Sequence, residues 1–189
     1  MRIYDDHAIN IDFDDRKGQV LNIVFSDMLF SRTHKYYWRQ EIKEAGQSGL
    51  FITPRESHFY QDATILDILA EQASIIRKFK KVVLFGLDVA GYAAIYFSKL
   101  FRADIVVAIS PMFTVDPALT RDFDTRYLER RQTLPNFTPP INREVSSGNV
   151  YVFLTGNVSL KRGMLQKLLS KYNVCQFNLI MQAKMFSSF

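Results

Sequence analysis

The carboxylate of Asp88 is the side chain whose surroundings in the sequence point most directly to chemistry. It stands in Val82-Val83-Leu84-Phe85-Gly86-Leu87-Asp88-Val89-Ala90-Gly91-Tyr92, where a β-branched apolar run passes into a helical pattern with almost no linker. A turn that sharp crowds the residues two before and two after its apex, which accounts for Gly86 and Ala90; Gly91 gives the helix further room against the strand. The apex is expected at positive φ, a region Asp tolerates better than most residues. Two roles follow. At a helix N-terminus, where the dipole and free N–H groups favour the ionised form, Asp88 could attack an alkyl carbon without a base. The ester so formed must then be hydrolysed by water that a histidine activates. Alternatively, the side chain caps the helix and does no chemistry. The histidines are His7, His34 and His58, all upstream of the turn. His34 and His58 adjoin strand-end loops and are the candidates for a base.

Other reactive residue types do not assemble by spacing. The pairs Asp5–Asp6 and Asp14–Asp15, with His7, lack the pattern of a cation-binding loop and read as solvated turns. Asp116 and Asp124 read as turn residues, with a displaced catalytic acid as the alternative. Ser110, before Pro111, ends a strand, and the spacing names no base that would make it a nucleophile. Neither G-x-G-x-x-G nor a P-loop occurs, so no cofactor and no metal are expected. The single cysteine, Cys175, excludes an intrachain disulfide and a cysteine-based zinc cluster. With an N-terminus (Met1 to Asp6) that lacks an apolar signal core, it points to the cytoplasm.

These residues need a scaffold, and 189 residues with 48% hydrophobic and 14% aromatic content suit one globular domain. No apolar run approaches the roughly 18–20 residues of a membrane span. The net charge is +5. Basic residues are densest at Arg121, Arg126, Arg130, Arg131 and Arg143, but Asp122, Asp124, Glu129 and Glu144 are mixed among them. That stretch reads as a salt-bridged solvated surface, and no nucleic-acid partner is expected.

Periodicity predicts an alternating edge strand at Ile9–Phe13 and apolar interior strands at Val20–Phe25, Gly49–Thr53, Lys81–Phe85, Ile105–Ile109 and Val150–Leu154, with a last strand at Cys175–Leu179. Helices are predicted at Tyr36–Ala45, from an Asp62 cap to Phe79, at Val89–Phe101 and at Leu160–Tyr172, with a short one near Arg126–Gln132. Strands alternating with helices define an α/β class: a three-layer, doubly wound, mostly parallel sheet. In such a sheet the carboxyl ends of the strands carry the site.

The turn at Asp88 resembles the nucleophile elbow of the α/β-hydrolase fold, G-x-S-x-G, with Asp88 in the serine's place. Asn22–Met28, Leu50–Thr53 and Ala103–Pro117 extend the likeness over Val20 to Arg131. The chain is similar to a group of small bacterial α/β hydrolases, some of which accompany glycosyltransferase or surface-polysaccharide functions. In that group the elbow commonly reads Gly-Ser-Ser-Met-Gly-Gly-Tyr-Ala-Ala and the next strand ends in Ser-Pro, as at Ser110-Pro111. The resemblance implies an oxyanion or pocket role for Ser26, Asp27 and Met28, and for Val89 after the apex. It also implies an acid after Val150–Leu154 and a histidine after the last strand. Thr155-Gly156-Asn157 supplies no carboxylate, and Ile180 to Phe189 contains no histidine, so the C-terminus is also expected to fall short of the family's tail.

With all three triad positions altered, serine-esterase chemistry is excluded. An anion at the apex would also oppose an oxyanion. The expectation is a protein that has lost serine-hydrolase activity and now binds or scaffolds, taking a small-molecule, sugar or acyl ligand in the old pocket. The alternatives are a hydrolase of dehalogenase or epoxide-hydrolase type, with Asp88 as nucleophile and His34 or His58 as relocated base, and a subunit that binds a glycosyltransferase or a second copy of itself. Tyr36, Tyr37 and Trp38 beside His34 either line a sugar surface or pack a helix on the sheet.

Overall fold

The computed structural model describes residues 1–27, 38–120, 124–141, 148–154 and 173–176. Eight strands form one sheet: β1 (Arg2–Asp5), β2 (Ile9–Asp14), β3 (Val20–Phe25), β4 (Ser48–Pro54), β5 (Lys81–Leu87), β6 (Ile105–Ile109), β7 (Asn149–Leu154) and β8 (Asn173–Gln176). Their spatial order is β1-β2-β4-β3-β5-β6-β7-β8. Only β2 runs antiparallel to its neighbours; every other pairing is parallel. The carboxyl ends of the remaining strands therefore share one rim of the sheet.

The interior strands are apolar because both of their faces are covered. In β3, Leu21, Ile23, Val24 and Phe25 are fully buried. Its one polar interior residue, Asn22, is satisfied by donating to Gln47 Oε1 at 2.7 Å and to the Ser48 carbonyl at 3.3 Å. Phe25 anchors an aromatic cluster with Tyr60, Phe97 and Phe101.

The helices are α1 (Arg39–Glu44), α2 (Ala63–Gln72), α3 (Val89–Tyr96), α4 (Pro117–Thr120) and α5 (Leu128–Arg131). The Asp62 cap forms as expected, accepting from Thr64 N at 2.9 Å. The element it starts leaves the α conformation at Gln72 and continues as a 3-10 turn over Ala73–Lys78. Helix α3 stops at Tyr96 rather than Phe101, and Val89 to Ile95 are all buried. Helix α1 begins at Arg39 because Trp38 sits at φ 57°.

Two expectations about the sheet margin need correction. Ile9–Asp14 is not the edge strand: Arg2–Asp5, too polar to read as a strand, pairs outside it. The last described strand starts at Asn173, two residues before the expected Cys175. The helix expected at Leu160–Tyr172 and the end of that strand beyond Gln176 lie outside the described residues. Among the described residues, no helix is long and apolar enough to cross a membrane.

Candidate functional site: an aspartate elbow closed by an arginine and a tyrosine

Strand β5 ends at Leu87 and α3 begins at Val89, so Asp88 alone makes the turn, at φ 57° and ψ −118°. Its N–H donates to the Ile109 carbonyl at 2.9 Å and its carbonyl accepts from Tyr92 N at 3.1 Å, which ties the apex to β6 and to the first turn of α3. A Cβ on Gly86 would lie 2.0 Å from the Ala90 oxygen and 2.3 Å from the Ala90 carbonyl carbon. Backbone fills that space, so only glycine fits. The positive φ and the crowding expected of Gly86 and Ala90 are both present.

The side chain departs from the capping alternative: Asp88 makes no cap hydrogen bond to α3. Instead Oδ1 accepts from Arg126 Nη1 at 2.7 Å and Oδ2 accepts from the Tyr127 hydroxyl at 2.7 Å. Arg126 is held from its other side by Asp124, with Nε 2.9 Å from Oδ1 and Nη2 2.7 Å from Oδ2. Its Nη1 also donates to the Ser110 carbonyl at 2.8 Å, at the end of β6. Arg131 completes the corner. It is fully buried, donating to Thr120 Oγ1 at 2.8 Å and to the Asp124 carbonyl at 2.6 Å, while its Nε has no hydrogen-bond partner.

The stretch expected to be a solvated surface thus turns two of its arginines inward. The Asp88 and Arg126 side chains keep only 17% and 22% of their exposure and Asp124 only 2%. Burial pushes the Asp88 carboxyl above its ordinary value, with Arg126 and the Tyr127 hydrogen bond pulling the other way. Burial works against the charge on Arg126, but Asp124 and Asp88 carry its pKa upward. Burial and then the Asp88 charge push the Tyr127 hydroxyl well up, so it stays protonated and donates.

Chemically this is a closed arrangement. Both carboxylate oxygens already accept strong hydrogen bonds, which lowers their nucleophilicity. A guanidinium has no lone pair with which to take a proton. Among the described residues, the hydrogen-bond partners of this carboxylate are Arg126 and Tyr127.

The remaining predicted residues divide into two groups. Ser26 and Asp27 are buried at the end of β3. The Ser26 carbonyl accepts from the Tyr60 hydroxyl at 2.7 Å, and Ser26 Oγ from Thr53 Oγ1 at 3.4 Å. The charge of Asp27 raises the pKa of Tyr60 and of Tyr127, so the end of β3 and the elbow meet around the tyrosine that holds Asp88. Val89 is fully buried directly after the apex.

His58 does not join them through a hydrogen bond. Its Nδ1 accepts from Tyr60 N at 3.0 Å, which puts the ring proton on Nε2, 2.9 Å from the Ala8 carbonyl. Burial lowers its pKa. Both ring nitrogens serve backbone near β2. Met28 and His34 lie outside the described residues. Asp116 is a turn residue, accepting from Ala118 N at 2.8 Å. Trp38 packs on Phe85 with ring centroids 5.6 Å apart, a helix-to-sheet contact. Sequence reasoning missed Arg126 and Tyr127 because their partner is 38 and 39 residues away. The only signal was the density of arginine itself.

Neither a protein-family model nor a curated protein sequence matches the chain. Solved structures do. A chain of the Glycosylation Associate Protein (Gap123) complex from Streptococcus agalactiae matches with a TM-score of 0.71 and 14% identity, over 100% of this chain and 44% of that one. This protein therefore spans less than half the length of that relative. The Pyrococcus furiosus esterase Pf2001 matches with a TM-score of 0.61 and 15% identity, over 95% of this chain and 82% of the esterase. Est1E from Butyrivibrio proteoclasticus gives 0.61 and 11%, over 95% and 88%. Identities this low speak to architecture: the chain has the α/β-hydrolase fold, and its elbow carries an aspartate.

Proposed function

We propose that this protein is a single, three-layered, doubly wound α/β-hydrolase-like domain that has lost ester hydrolysis and acts in the cytoplasm as a partner-binding subunit of a glycosylation-associated assembly. The observation that carries the loss of activity is the closure of Asp88 by Arg126 and Tyr127. A nucleophile must be free to approach carbon, and a general base must be at hand. Here the apex oxygens are spoken for, and His58 would have to give up two backbone hydrogen bonds before it could serve the carboxylate-nucleophile alternative. The assembly role takes its support from the fold's likeness to a chain of a glycosylation-associated complex that is more than twice as long.

Two experiments test the halves separately. Incubation with panels of aryl esters, epoxides and alkyl halides, followed by intact-mass measurement, should give no turnover and no adduct on Asp88; an adduct there overturns the loss of activity. Co-expression with each of a panel of bacterial glycosyltransferases should yield a defined complex by light scattering. A strict monomer in the presence of each would overturn the binding role.

A further inference from the structure

The fold brings together basic residues that the linear sequence scatters. Connections that lie far apart in the chain meet at the rim formed by the amino-terminal ends of the parallel strands, opposite the elbow. The β2–β3 connection brings Arg16 and Lys17; the approach to β5 brings Lys78, Lys80 and Lys81; the α3–β6 connection brings Arg102. Backbone hydrogen bonds fix their proximity: Lys80 N and Lys81 N both donate to the Gln19 carbonyl, and Asp104 N donates to the Val82 carbonyl. Arg16 and Lys78 line the same open depression of about 570 Å³, together with Met1, Phe13, Ile75, Asp15 and Asp14, the last paired with Arg39. All six basic residues are exposed, and none is in an ion pair among the described residues.

Against them on these connections stand Asp15 and Asp104, each already accepting a backbone N–H, from Lys17 and Val82 respectively. The opposite rim is different. There Asp27, Asp88, Asp116 and Asp124 stand around Arg126 and Arg131, so the acids of this group outnumber its bases. The molecule is polarised along its strands, and α3 points its carboxyl end, the negative end of its dipole, toward the basic rim.

We infer that this rim is a docking surface for the anionic headgroups of a lipid bilayer. Its shape separates a bilayer from other polyanions. The charges come from several short connections spread across the end of a sheet, a broad face rather than a groove that tracks one strand. Phe79, the aromatic among Lys78, Lys80 and Lys81, is half-buried and packed edge-on against Phe13, so it is no stacking platform for bases. No helix presents these residues to enter a duplex groove. Long, flexible lysines over a wide area suit diffuse phosphate charge, with a binding increment of about fivefold per basic residue near the surface. Attachment would be peripheral.

The test is co-sedimentation of the full chain with vesicles of 3:1 phosphatidylcholine to phosphatidylglycerol, against pure phosphatidylcholine, in low and high sodium chloride. Binding should require phosphatidylglycerol and vanish in high salt, as screening demands. The triple variant Lys78→Gln, Lys80→Gln, Lys81→Gln should lower the partition coefficient on the order of 100-fold. The corresponding triple Arg variant should bind as the parent does. Arg16→Gln with Lys17→Gln and Arg102→Gln, on the other two connections, gives an independent loss should the first set unfold by circular dichroism. Equal binding to pure phosphatidylcholine, an unchanged partition in folded Gln variants, or retention on duplex DNA or a sulfated polysaccharide without vesicle binding would overturn the inference.

Discussion

The guanidinium of Arg126 reaches across 38 residues of sequence to lie 2.7 Å from the carboxylate of Asp88 at the sharpest turn of the sheet. Asp124 grips the same guanidinium from behind, so one cation is shared by two carboxylates in a poorly hydrated corner. This arrangement makes the two partners unequal. Arg126→Ala leaves Asp88 and Asp124 without their common counter-charge, and removing one partner of a buried pair costs about 3 kcal/mol. Asp88→Asn keeps an amide oxygen for one donor and leaves Arg126 on Asp124, at a cost below about 1 kcal/mol. Urea denaturation should rank Arg126→Ala as far the more destabilising. Equal losses would mean that the pair acts only through Asp88.

The elbow carboxylate should also show itself in the pH dependence of stability. Burial raises the Asp88 pKa in the folded state above its ordinary value of 3.8. The folded chain therefore holds this proton more tightly than the unfolded chain does. Its contribution is fully present below the unfolded pKa and is lost as pH rises through the folded one. Asparagine mimics the protonated form and does not titrate. The stability of Asp88→Asn relative to the parent should therefore improve as pH rises from 3 to 7, and then level off. A constant difference across that range, measured by urea midpoints, would show that the folded-state pKa is not raised.

Two glycines separate steric need from backbone need. At Gly86 the obstacle is the backbone of Ala90, at 2.0 Å, and no rotamer change can relieve it. Gly86→Ala should cost about 3 kcal/mol or more and distort the elbow. At Gly46, φ is +66° but nothing lies within 4 Å of a built Cβ. Gly46→Ala should cost about 1–2 kcal/mol from backbone conformation alone. Melting temperatures of the two variants should preserve that order.

What the sequence disclosed, and what it hid, follows from range. The elbow was legible because its constraint is local: Gly86, Asp88, Ala90 and Gly91 are one turn, and its positive φ is found where the spacing put it. Strands β3, β5 and β6 were legible because burial on both faces makes them apolar throughout. Strand β1 was not, since Arg2–Asp5 is held by pairing with β2 and by ion pairs of Arg2 to Asp5 and Asp12 rather than by its own pattern. The capping role for Asp88 failed for the same reason. A helix N-terminus offers an aspartate weak local donors, whereas the fold delivers a guanidinium and a phenol from a distant loop. No spacing rule sees a partner that topology supplies. The basic rim was hidden likewise, spread over connections that only the sheet brings together.

A hydroxyl placed at the apex should not by itself give esterase chemistry. Asp88→Ser puts a serine at an apex of the proper backbone geometry, and the sharp turn would expose its Oγ to the rim. Its neighbours would still be the Arg126 guanidinium and the Tyr127 hydroxyl. Neither takes a proton near neutral pH: Arg126 is pushed further toward its charged form by Asp124, and the Tyr127 hydroxyl is held protonated by burial. An unactivated serine is a weak nucleophile, and loss of the base costs several orders of magnitude in acyl transfer. Asp88→Ser should therefore hydrolyse p-nitrophenyl acetate no faster than the Asp88→Ala control, with no acyl adduct by intact mass. A burst of p-nitrophenolate from Asp88→Ser alone would place a competent base beside residue 88, and the closure of the elbow by Arg126 and Tyr127 would no longer support the proposed loss of ester hydrolysis.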